Sequence, residues 1–378
     1  MTPSSSKPLD IVSVCLSGLG GSGIVAAEVA EGLAGLGHRV RLVSDAVPFR
    51  VIGRPGPVEV CVASVPGHPV LPGGAPTIAL ASEFVRQLEL RPADVVHVHY
   101  AVPNVAAFRL AAASLDGSPP LVVTFHGSDV VPVGSHPSYR EITRRGLRSA
   151  LVTAPSKHLA GQVEDVFALE RERVEVIPNF VDLEAFDPTL APAGPGLRLA
   201  HVSNFRPVKR AEDALLAFER LAFERQDVDL YFVGDGPGRP ALERRARAGD
   251  FSGRVHFLGV RRDVPRLLGD MDVVLVPSER ESFGLSALEG MAAGRPVLAT
   301  RVGGLVEVVE HEETGLFIEV GDVDAMTAAL RRLADDRALR ARLGRAGRLR
   351  AETRFRRGRA LEAYASTLRR AAEREPSP

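Results

Sequence analysis

The feature that most constrains the fold is an alternation of short apolar runs with helical patterns, which occurs twice along the chain. The first series of runs occupies residues 9–16, 38–44, 95–100, 121–127, 150–156 and 174–179, and the second occupies 197–205, 228–236, 255–260, 273–278, 296–300 and 315–318. Helical patterns such as 24–36 and 138–149 separate most of them. Apolar strands that alternate with helices are typical of parallel sheets covered on both faces. The chain is therefore predicted to be α/β, with two doubly wound, Rossmann-like domains.

A segment rich in proline and glycine separates the two series. This segment, DPTLAPAGPG at 187–196, is typical of an interdomain linker. A chain of 378 residues is also longer than one ordinary core accommodates. We therefore expect a first domain over 1–186 and a second over 197–354. Ligands of doubly wound domains bind beyond the carboxyl ends of the strands, which predicts a ligand site in a cleft where the two domains face each other.

Charge and hydropathy argue against several classes of partner. Basic and acidic residues both number 47, so the net charge gives no reason to expect nucleic acid. No apolar run approaches the ~18 residues that a membrane span requires, and MTPSSSKPLD has no apolar signal region. Two cysteines, Cys15 and Cys61, are too few for a zinc cluster or a disulfide framework. We expect a cytoplasmic protein, and the sequence leaves a homo-oligomer open.

A glycine-rich turn joins the first predicted strand to the first helix. Gly18, Gly20 and Gly23 have the G-x-G-x-x-G spacing, whose backbone N–H groups can close on a phosphate at a helix N-terminus. An NAD-binding domain would also need an acid after the second strand, where Asp45 stands. The same spacing occurs in tight strand–helix connections that bind no ligand. The turn alone leaves a dehydrogenase, another phosphate ligand and no ligand as alternatives.

The loops at the strand ends of the second domain carry more chemistry. In SERESFGLSALEG, Glu281 follows a predicted strand and Glu289 lies within the next helix, whose first amides can bind an anion. Paired carboxylates also catalyse glycoside hydrolysis, but beside anion-binding amides they are better suited to accept hydrogen bonds from sugar hydroxyls. Arg206 and Lys209 follow the first strand of this domain and could neutralise a diphosphate. Glycines at 234, 236 and 259 end the next two strands and are consistent with the close approach of a nucleotide.

Taken together, these motifs resemble those of the retaining glycosyltransferases of family 4, which have the GT-B fold, over essentially the whole chain. The segments that carry the resemblance are GGSGI, PFR (48–50), HVHYAVP (97–103), TFHGSD (124–129), PNFVD (178–182), HVSNFRPVKR, VGDGP and ERESFGLSALE. Within the family they resemble the enzymes that transfer N-acetylglucosamine from UDP-GlcNAc to L-malate in bacillithiol biosynthesis. The resemblance also implies that the last helix, within 355–378, packs back on the first domain.

The resemblance implies a role for individual residues. Glu289 would hold the ribose and Glu281 the donor sugar, while His126 would lie over the reacting sugar. The implied catalytic residues are His126, Arg206, Lys209 and Glu281. The implied donor site consists of Gly20, Gly21, Arg206, Lys209, Val260, Arg261, Glu281, Phe283, Gly284, Leu285 and Glu289. Asp45 would then be a loop or capping residue.

A dianionic acceptor such as malate needs cations and hydroxyl groups in the first domain. Arg140, Arg144 and Arg148 share one helix face, which is also typical of a solvent-exposed stripe, and Arg144 could bind a carboxylate in a bidentate manner. The predicted acceptor residues are Ser22, Tyr100, Thr124, Arg144 and Asn179, with Lys157 as a further candidate. His97 and His99 are expected to be core residues or to support residues of the site, and not to act as acids or bases.

No metal or other cofactor is expected. The acidic pairs Asp227/Asp229, Asp270/Asp272 and Asp322/Asp324 stand where caps and turn residues are common.

Transfer of N-acetylglucosamine to inositol phosphate or to a glycan is an alternative function within the family. Outside it, the alternatives are a UDP-GlcNAc 2-epimerase, an NAD-dependent dehydrogenase and a non-catalytic sensor of nucleotide sugars.

Overall fold

The chain forms two compact units. The computed structural model describes residues 7–18, 20–48, 56–65, 75–190 and 196–374. The first unit is formed by Met1–Ile177 with Gly358–Pro378, and the second by Pro178–Arg357. The division precedes the predicted linker because the chain that follows residue 177, including Phe186, packs in the core of the second unit. Residues 49 and 50 of the PFR motif and 191–195 of the linker lie outside the described residues.

A seven-stranded parallel sheet forms the centre of the first unit. Its strands are β1 (Asp10–Cys15), β2 (Arg39–Ser44), β3 (Glu59–Val62), β4 (Val95–His99), β5 (Leu121–Thr124), β6 (Leu151–Ala154) and β7 (Val174–Val176). Their order in the sheet is β3-β2-β1-β4-β5-β6-β7. The order reverses direction between β1 and β4, which makes the neighbouring ends of these two strands the topological switch point. All six predicted runs of the first series are found as strands.

Five helices in the described part of this unit connect its strands. They are α1 (Gly21–Gly35), α2 (Pro76–Leu90), α3 (Ala101–Ala112), α4 (Pro137–Gly146) and α5 (Lys157–Phe167). Helix α1 begins where Gly20 has extended backbone, and a Cβ atom on Gly23 would lie 2.8 Å from the carbonyl oxygen of Leu16. The glycine at 23 is therefore required for the tight passage from β1 into α1.

The second unit has a six-stranded parallel sheet. Its strands are β8 (Leu197–Val202), β9 (Val228–Val233), β10 (Val255–Phe257), β11 (Val273–Val276), β12 (Val297–Thr300) and β13 (Gly315–Ile318), in the order β10-β9-β8-β11-β12-β13. The switch point lies between β8 and β11. Its helices are α6 (Ala211–Glu224), α7 (Arg239–Ala248), α8 (Val264–Gly269), α9 (Leu285–Ala292), α10 (Leu305–Val308), α11 (Val323–Asp335) and α12 (Arg337–Arg354). Two parallel, doubly wound sheets confirm the predicted fold class.

The last helix, α13 (Arg357–Ala372), returns to the first unit. Its buried side chains include Leu361, Tyr364 and Leu368. The methyl groups of Leu361 lie so close to Gly32 of α1 that a Cβ atom there would be 2.4 Å from them. Thr367 donates a hydrogen bond to Glu175 at 3.0 Å. An apolar stripe and hydrogen bonds from Thr367 and Arg370 to Glu175 thus attach the end of the chain to this unit.

None of the helices in the described part of the chain is long and apolar enough to cross a membrane.

Candidate functional site

In the second unit, two loops meet beyond the ends of the neighbouring strands β8 and β11. The first loop, 203–210, carries Arg206 and a 3₁₀ turn over Pro207–Lys209. The second, 277–284, leads from β11 into α9. Glu279 N–H donates a hydrogen bond to the carbonyl oxygen of Val208 at 2.8 Å, so the backbones of the two loops are joined directly. This is the switch point at which open α/β sheets bind their ligands.

An ion pair links the side chains of these loops. Lys209 Nζ lies 2.6 Å from Glu281 Oε2, and the two side chains are 23% and 11% exposed. Arg206 is exposed at the start of the 3₁₀ turn, and within the described chain its guanidinium makes no ion pair. Two predicted cations and one predicted carboxylate therefore lie on adjoining loops, where they can receive an anionic and hydroxylated ligand.

A buried histidine supports the loop that carries both cations. His201 Nδ1 lies 3.0 Å from the carbonyl oxygen of Leu275, and its Nε2 lies 2.9 Å from Ser203 Oγ. A carbonyl oxygen can only accept, so Nδ1 carries the proton. Burial lowers the pKa of His201 to about 4, so the ring is neutral and its Nε2 accepts the Ser203 hydroxyl proton. Ser203 Oγ in turn accepts a hydrogen bond from Phe205 N–H at 3.1 Å. Sequence reasoning missed this network, because nothing in the pattern HVSNF indicates which strand His201 contacts.

The glycines after β9 have a structural explanation in the same loop. A Cβ atom on Gly234 would lie 2.0 Å from the Ser203 carbonyl oxygen, and one on Gly236 would lie 1.7 Å from that of Asn204. Gly238 N–H donates to the carbonyl oxygen of Phe205 at 2.9 Å. The GDGPG segment thus lies flat against residues 203–205. Glycine at 234 and 236 therefore allows the backbone of the loop that carries Arg206 to pack closely against this segment.

Helix α9 begins on the same loop that carries Glu281. Gly284 precedes the helix with φ +106°, in the left-handed region, and a Cβ atom there would lie 2.5 Å from Leu305. Phe283 is buried and packs edge-on against Phe355 at 5.6 Å. Leu285 is the first residue of the helix, and half-buried Glu289 lies one turn further along. The first turn therefore has the geometry of an anion-binding helix terminus.

Two residues of the implied donor site, Val260 and Arg261, lie after β10. Val260 is 39% exposed. Arg261 donates two hydrogen bonds to Asp263, at 2.8 and 2.7 Å. Its guanidinium is therefore engaged on its own loop.

In the first unit, the glycine turn after β1 also opens a helix. Gly21 and Ser22 form the first turn of α1 after Gly20. Asp45, the acid that an NAD site would need, accepts a hydrogen bond from Ser17 N–H at 2.8 Å. Asp45 therefore fastens the loop between β1 and α1, as a loop residue would.

A cluster of buried polar residues lies where β4 and β5 end. His99 Nδ1 is 3.1 Å from His126 Nε2, and His97 Nε2 is 2.8 Å from Thr124 Oγ1. Burial lowers the pKa values of His97 and His126 to about 3, and that of His99 well below its ordinary value. All three imidazoles are therefore neutral. Asp129 fixes the His126 loop, because its carboxylate accepts hydrogen bonds from three N–H groups, those of Ala101, His126 and Gly127.

The residues predicted to bind the acceptor are not grouped in the same way. Thr124 is fully buried and also bonds to Thr153 Oγ1 at 2.7 Å, so a ligand could reach its hydroxyl only if these bonds broke. Tyr100 OH lies 3.0 Å from Ser128 Oγ. Arg144 is held by Glu141 on its own helix, at 2.9 and 2.8 Å. Asn179 is buried in the second unit, and Oδ1 has no hydrogen-bond partner among the described residues. The remaining basic candidates, Arg140, Arg148 and Lys157, are exposed.

The acidic pairs considered for metal binding are engaged elsewhere. Asp229 lies 2.8 Å from His256, Asp272 accepts from Arg198 N–H at 2.9 Å, and Asp322 caps α11 through Ala325 N–H. Among the residues that the structure describes, no group of three or more His, Cys, Asp or Glu side chains is arranged to hold a metal ion.

Comparison with known proteins assigns each half of the chain to a family. Residues 19–185 match the model "Glycosyltransferase Family 4", and residues 186–350 match "Glycosyl transferases group 1". The chain is 33% identical to N-acetyl-alpha-D-glucosaminyl L-malate synthase of Bacillus anthracis over 349 residues, which cover 90% of this chain and 91% of that protein. It is 28% identical to D-inositol 3-phosphate glycosyltransferase of Pseudarthrobacter chlorophenolicus, with 88% and 86% covered.

Solved structures show the same fold. Anabaena HepE in complex with UDP and glucose aligns with a TM-score of 0.80 at 20% identity, over 96% of this chain and 99% of HepE. Sucrose-phosphate synthase from Thermosynechococcus elongatus aligns with a TM-score of 0.82 at 21% identity, over 96% and 98% of the two chains. With family models matching both halves and a relative at 33% identity along nearly its full length, the chain belongs to the family 4 glycosyltransferases of GT-B fold.

Proposed function

We propose that this glycosyltransferase transfers N-acetylglucosamine from UDP-GlcNAc to the hydroxyl group of L-malate and retains the anomeric configuration. The observation that carries the proposal is the Lys209–Glu281 pair on the two loops at the switch point of the second unit, beside the amides that open α9. This arrangement combines anion-binding and hydroxyl-binding groups, which a nucleoside diphosphate sugar requires at adjacent positions.

In the proposed donor complex, Arg206, Lys209 and the first amides of α9 bind the diphosphate. Glu281 accepts hydrogen bonds from the sugar, and Glu289 accepts them from the ribose. The Lys209 ammonium lies against Glu281. This contact fixes the position of the cation, so that little reorganisation is needed at the moment of reaction.

The proposed reaction breaks the bond between the anomeric carbon and the β-phosphate oxygen. A new bond forms from the malate hydroxyl oxygen to the same face of that carbon, and the hydroxyl proton goes to the departing phosphate oxygen. Positive charge develops on the sugar ring and negative charge on the phosphate. The contribution of the protein is to stabilise the phosphate charge, where the loss of one well-placed donor typically costs about 2.7–4 kcal/mol.

The acceptor is the less constrained half of the proposal. L-Malate is supported by the relative that is 33% identical over 90% of the chain. Inositol phosphate is the second candidate, since D-inositol 3-phosphate glycosyltransferases match at 28% and 30% identity over 88% and 95% of the chain. Both acceptors are anionic, so the exposed arginines of the first unit do not discriminate between them.

The proposal is tested by measuring UDP release from UDP-GlcNAc with L-malate, with inositol phosphate and with buffer alone. We expect release that depends on malate, together with an α-linked product in the NMR spectrum. If UDP were released with inositol phosphate instead, malate would be the wrong acceptor, but the assignment as a glycosyltransferase would stand. Conversion of UDP-GlcNAc without any acceptor, to its 2-epimer or to free sugar, would overturn the proposal. A parallel assay in excess EDTA tests the expectation that no metal is needed, which full activity would support.

A further inference from the structure

The pair of imidazoles at the ends of β4 and β5 has a defined direction of hydrogen bonding. His99 is the last residue of β4 and is completely buried, and its Nδ1 lies 3.1 Å from Nε2 of half-buried His126. Neighbouring strands bring them together, because His99 pairs in register with Thr124, two residues before His126. One ring nitrogen must donate and the other must accept, since both rings are neutral.

The far side of the His99 ring decides which nitrogen donates. His99 Nε2 is buried and has no hydrogen-bond partner among the described residues. If His126 donated to His99, the only proton of His99 would lie on this Nε2 and would be a buried N–H group without an acceptor. Such orphaned donors are rarer than unsatisfied acceptors and cost about 1–3 kcal/mol. The opposite arrangement leaves only a lone pair unsatisfied, so His99 Nδ1–H donates to His126 Nε2.

We propose that His99 is a positioning residue that fixes the proton of His126 on Nδ1. The single basic nitrogen of His126 is then occupied by the His99 proton. His126 can donate a hydrogen bond through Nδ1–H but cannot accept the proton of an attacking hydroxyl. This deepens the proposed function and rests on it for the role of His126. It agrees with a mechanism in which the departing phosphate, and no histidine, takes that proton.

The backbone around both rings is fixed independently of their protons. His126 N–H donates to Asp129 Oδ1 at 2.9 Å, and Asn104 Nδ2 donates to the carbonyl oxygen of His99 at 3.0 Å. The His97 ring packs on the His99 ring, with centroids 4.1 Å apart. Replacement of the His99 side chain should therefore change the state of the His126 proton more than the path of the main chain.

The tautomer can be read directly in the ligand-free protein labelled with ¹⁵N-histidine. Two-bond ¹H–¹⁵N correlation spectra distinguish a proton on Nδ1 from one on Nε2, and the spectrum of His126→Gln assigns the signal. We expect His126 to carry its proton on Nδ1. His201 is an internal reference of the same kind, because its Nδ1 donates a hydrogen bond to the carbonyl oxygen of Leu275 at 3.0 Å. A proton on Nε2 of His126 would overturn the proposal, whatever reaction the enzyme catalyses.

Two substitutions test the consequence for activity. His99→Asn keeps an N–H donor close to the position of Nδ1, whereas His99→Leu removes it. We expect His99→Leu to give His126 a mixture of both tautomers and to lower kcat in proportion to the fraction of His126 that keeps its proton on Nδ1, about twofold for an equal mixture. His99→Asn should keep the Nδ1 signal and most of the activity. An unchanged His126 spectrum in folded His99→Leu would contradict the inference. If no acceptor supports turnover, the proposed function fails while the spectra still test the proton position.

Discussion

Lys209 Nζ lies 2.6 Å from Glu281 Oε2 and connects the loops that follow the neighbouring strands β8 and β11. An ion pair of partly exposed groups adds little to stability. Its value is that it holds an ammonium and a carboxylate at the switch point. Lys209→Ala should therefore lower kcat by about 10²–10³, and Arg206→Ala should have a similar effect, because both cations would stabilise the departing phosphate. Steady-state kinetics with UDP-GlcNAc, together with thermal unfolding, measures both effects.

Arg220→Ala is the matched control for these two substitutions. Arg220 also belongs to the second unit and forms an ion pair with Asp324 on the surface, between α6 and α11. We expect its kcat to stay within a factor of two of the wild-type value. Near-normal turnover of both Lys209→Ala and Arg206→Ala would show that the diphosphate is bound elsewhere.

We expect the hydrogen bond between His201 and Ser203 to affect donor binding, because it holds the loop that carries Arg206 in position. Ser203→Ala leaves the buried Nε2 of His201 and the N–H of Phe205 without partners, at about 1–3 kcal/mol for each buried group. The 203–210 loop should then lose its fixed position, and the Kd for UDP should rise roughly tenfold. Calorimetric titration with UDP measures this change. Thr353→Ala, which removes an exposed hydroxyl bonded to Leu349 on α12, should bind UDP normally. Equal affinity of Ser203→Ala and wild type would show that the network has no part in binding.

Gly236 should be intolerant of even one methyl group. In Gly236→Ala the new Cβ atom would lie 1.7 Å from the carbonyl oxygen of Asn204, so one of the two loops must move. Overpacking of this kind typically costs about 1–3 kcal/mol, and here it also displaces the loop of Arg206. Both the free energy of unfolding and the affinity for UDP should fall. Gly253→Ala, where the Cβ atom would meet nothing within 4 Å, is the control. A Gly236→Ala protein of wild-type stability would mean that the two loops are not in contact in solution.

The sequence was sufficient to predict the fold because most of the strands are buried on both faces. The run VVHVH of β4 and the run VVLV of β11 are fully buried, and such strands appear in the sequence as continuous apolar runs. Strand β3 was missed because it lies at the sheet edge. Its sequence EVCV is short, and both of its end residues are exposed. Helix α2 was not predicted either, because its sequence mixes apolar and polar residues.

The chemistry of the site was only partly predictable. Lys209 and Glu281 could be expected to converge, because both follow strands and the carboxyl ends of parallel strands share one edge. The partners of His99 and His201 could not be predicted, because they depend on the register of neighbouring strands and on the rotation of each ring. The glycines at 234 and 236 were expected to allow the close approach of a nucleotide, which stays a prediction, and the structure places the backbone of residues 203 and 204 against them.

Asp129 should make the first unit more stable as the pH falls from 7 to 5, which is opposite to ordinary acid destabilisation. Burial raises the pKa of Asp129 to about 6, although the N–H groups of His126, Ala101 and Gly127 oppose this shift. A raised pKa means that the folded state binds the proton more tightly than the unfolded state. The contribution of Asp129 to stability is therefore fully present below the unfolded pKa near 3.8 and is lost as the pH rises through 6.

The test compares wild type with Asp129→Asn, which cannot titrate. The free energy of unfolding of wild type, relative to this variant, should increase by about 1 kcal/mol between pH 7 and pH 5. Urea unfolding followed by pulsed hydrogen exchange in peptides of β5 reports on this unit alone. Glu141→Gln is the control. Hydrogen bonds from Arg144 and Arg145 lower the pKa of Glu141 to about 2, so Glu141 stays ionised in the folded protein between pH 7 and pH 5. The free energy of unfolding of wild type, relative to Glu141→Gln, should therefore stay nearly constant over this range. A difference for Asp129→Asn that stays flat or decreases over this range would mean that the Asp129 carboxylate is not destabilised by burial.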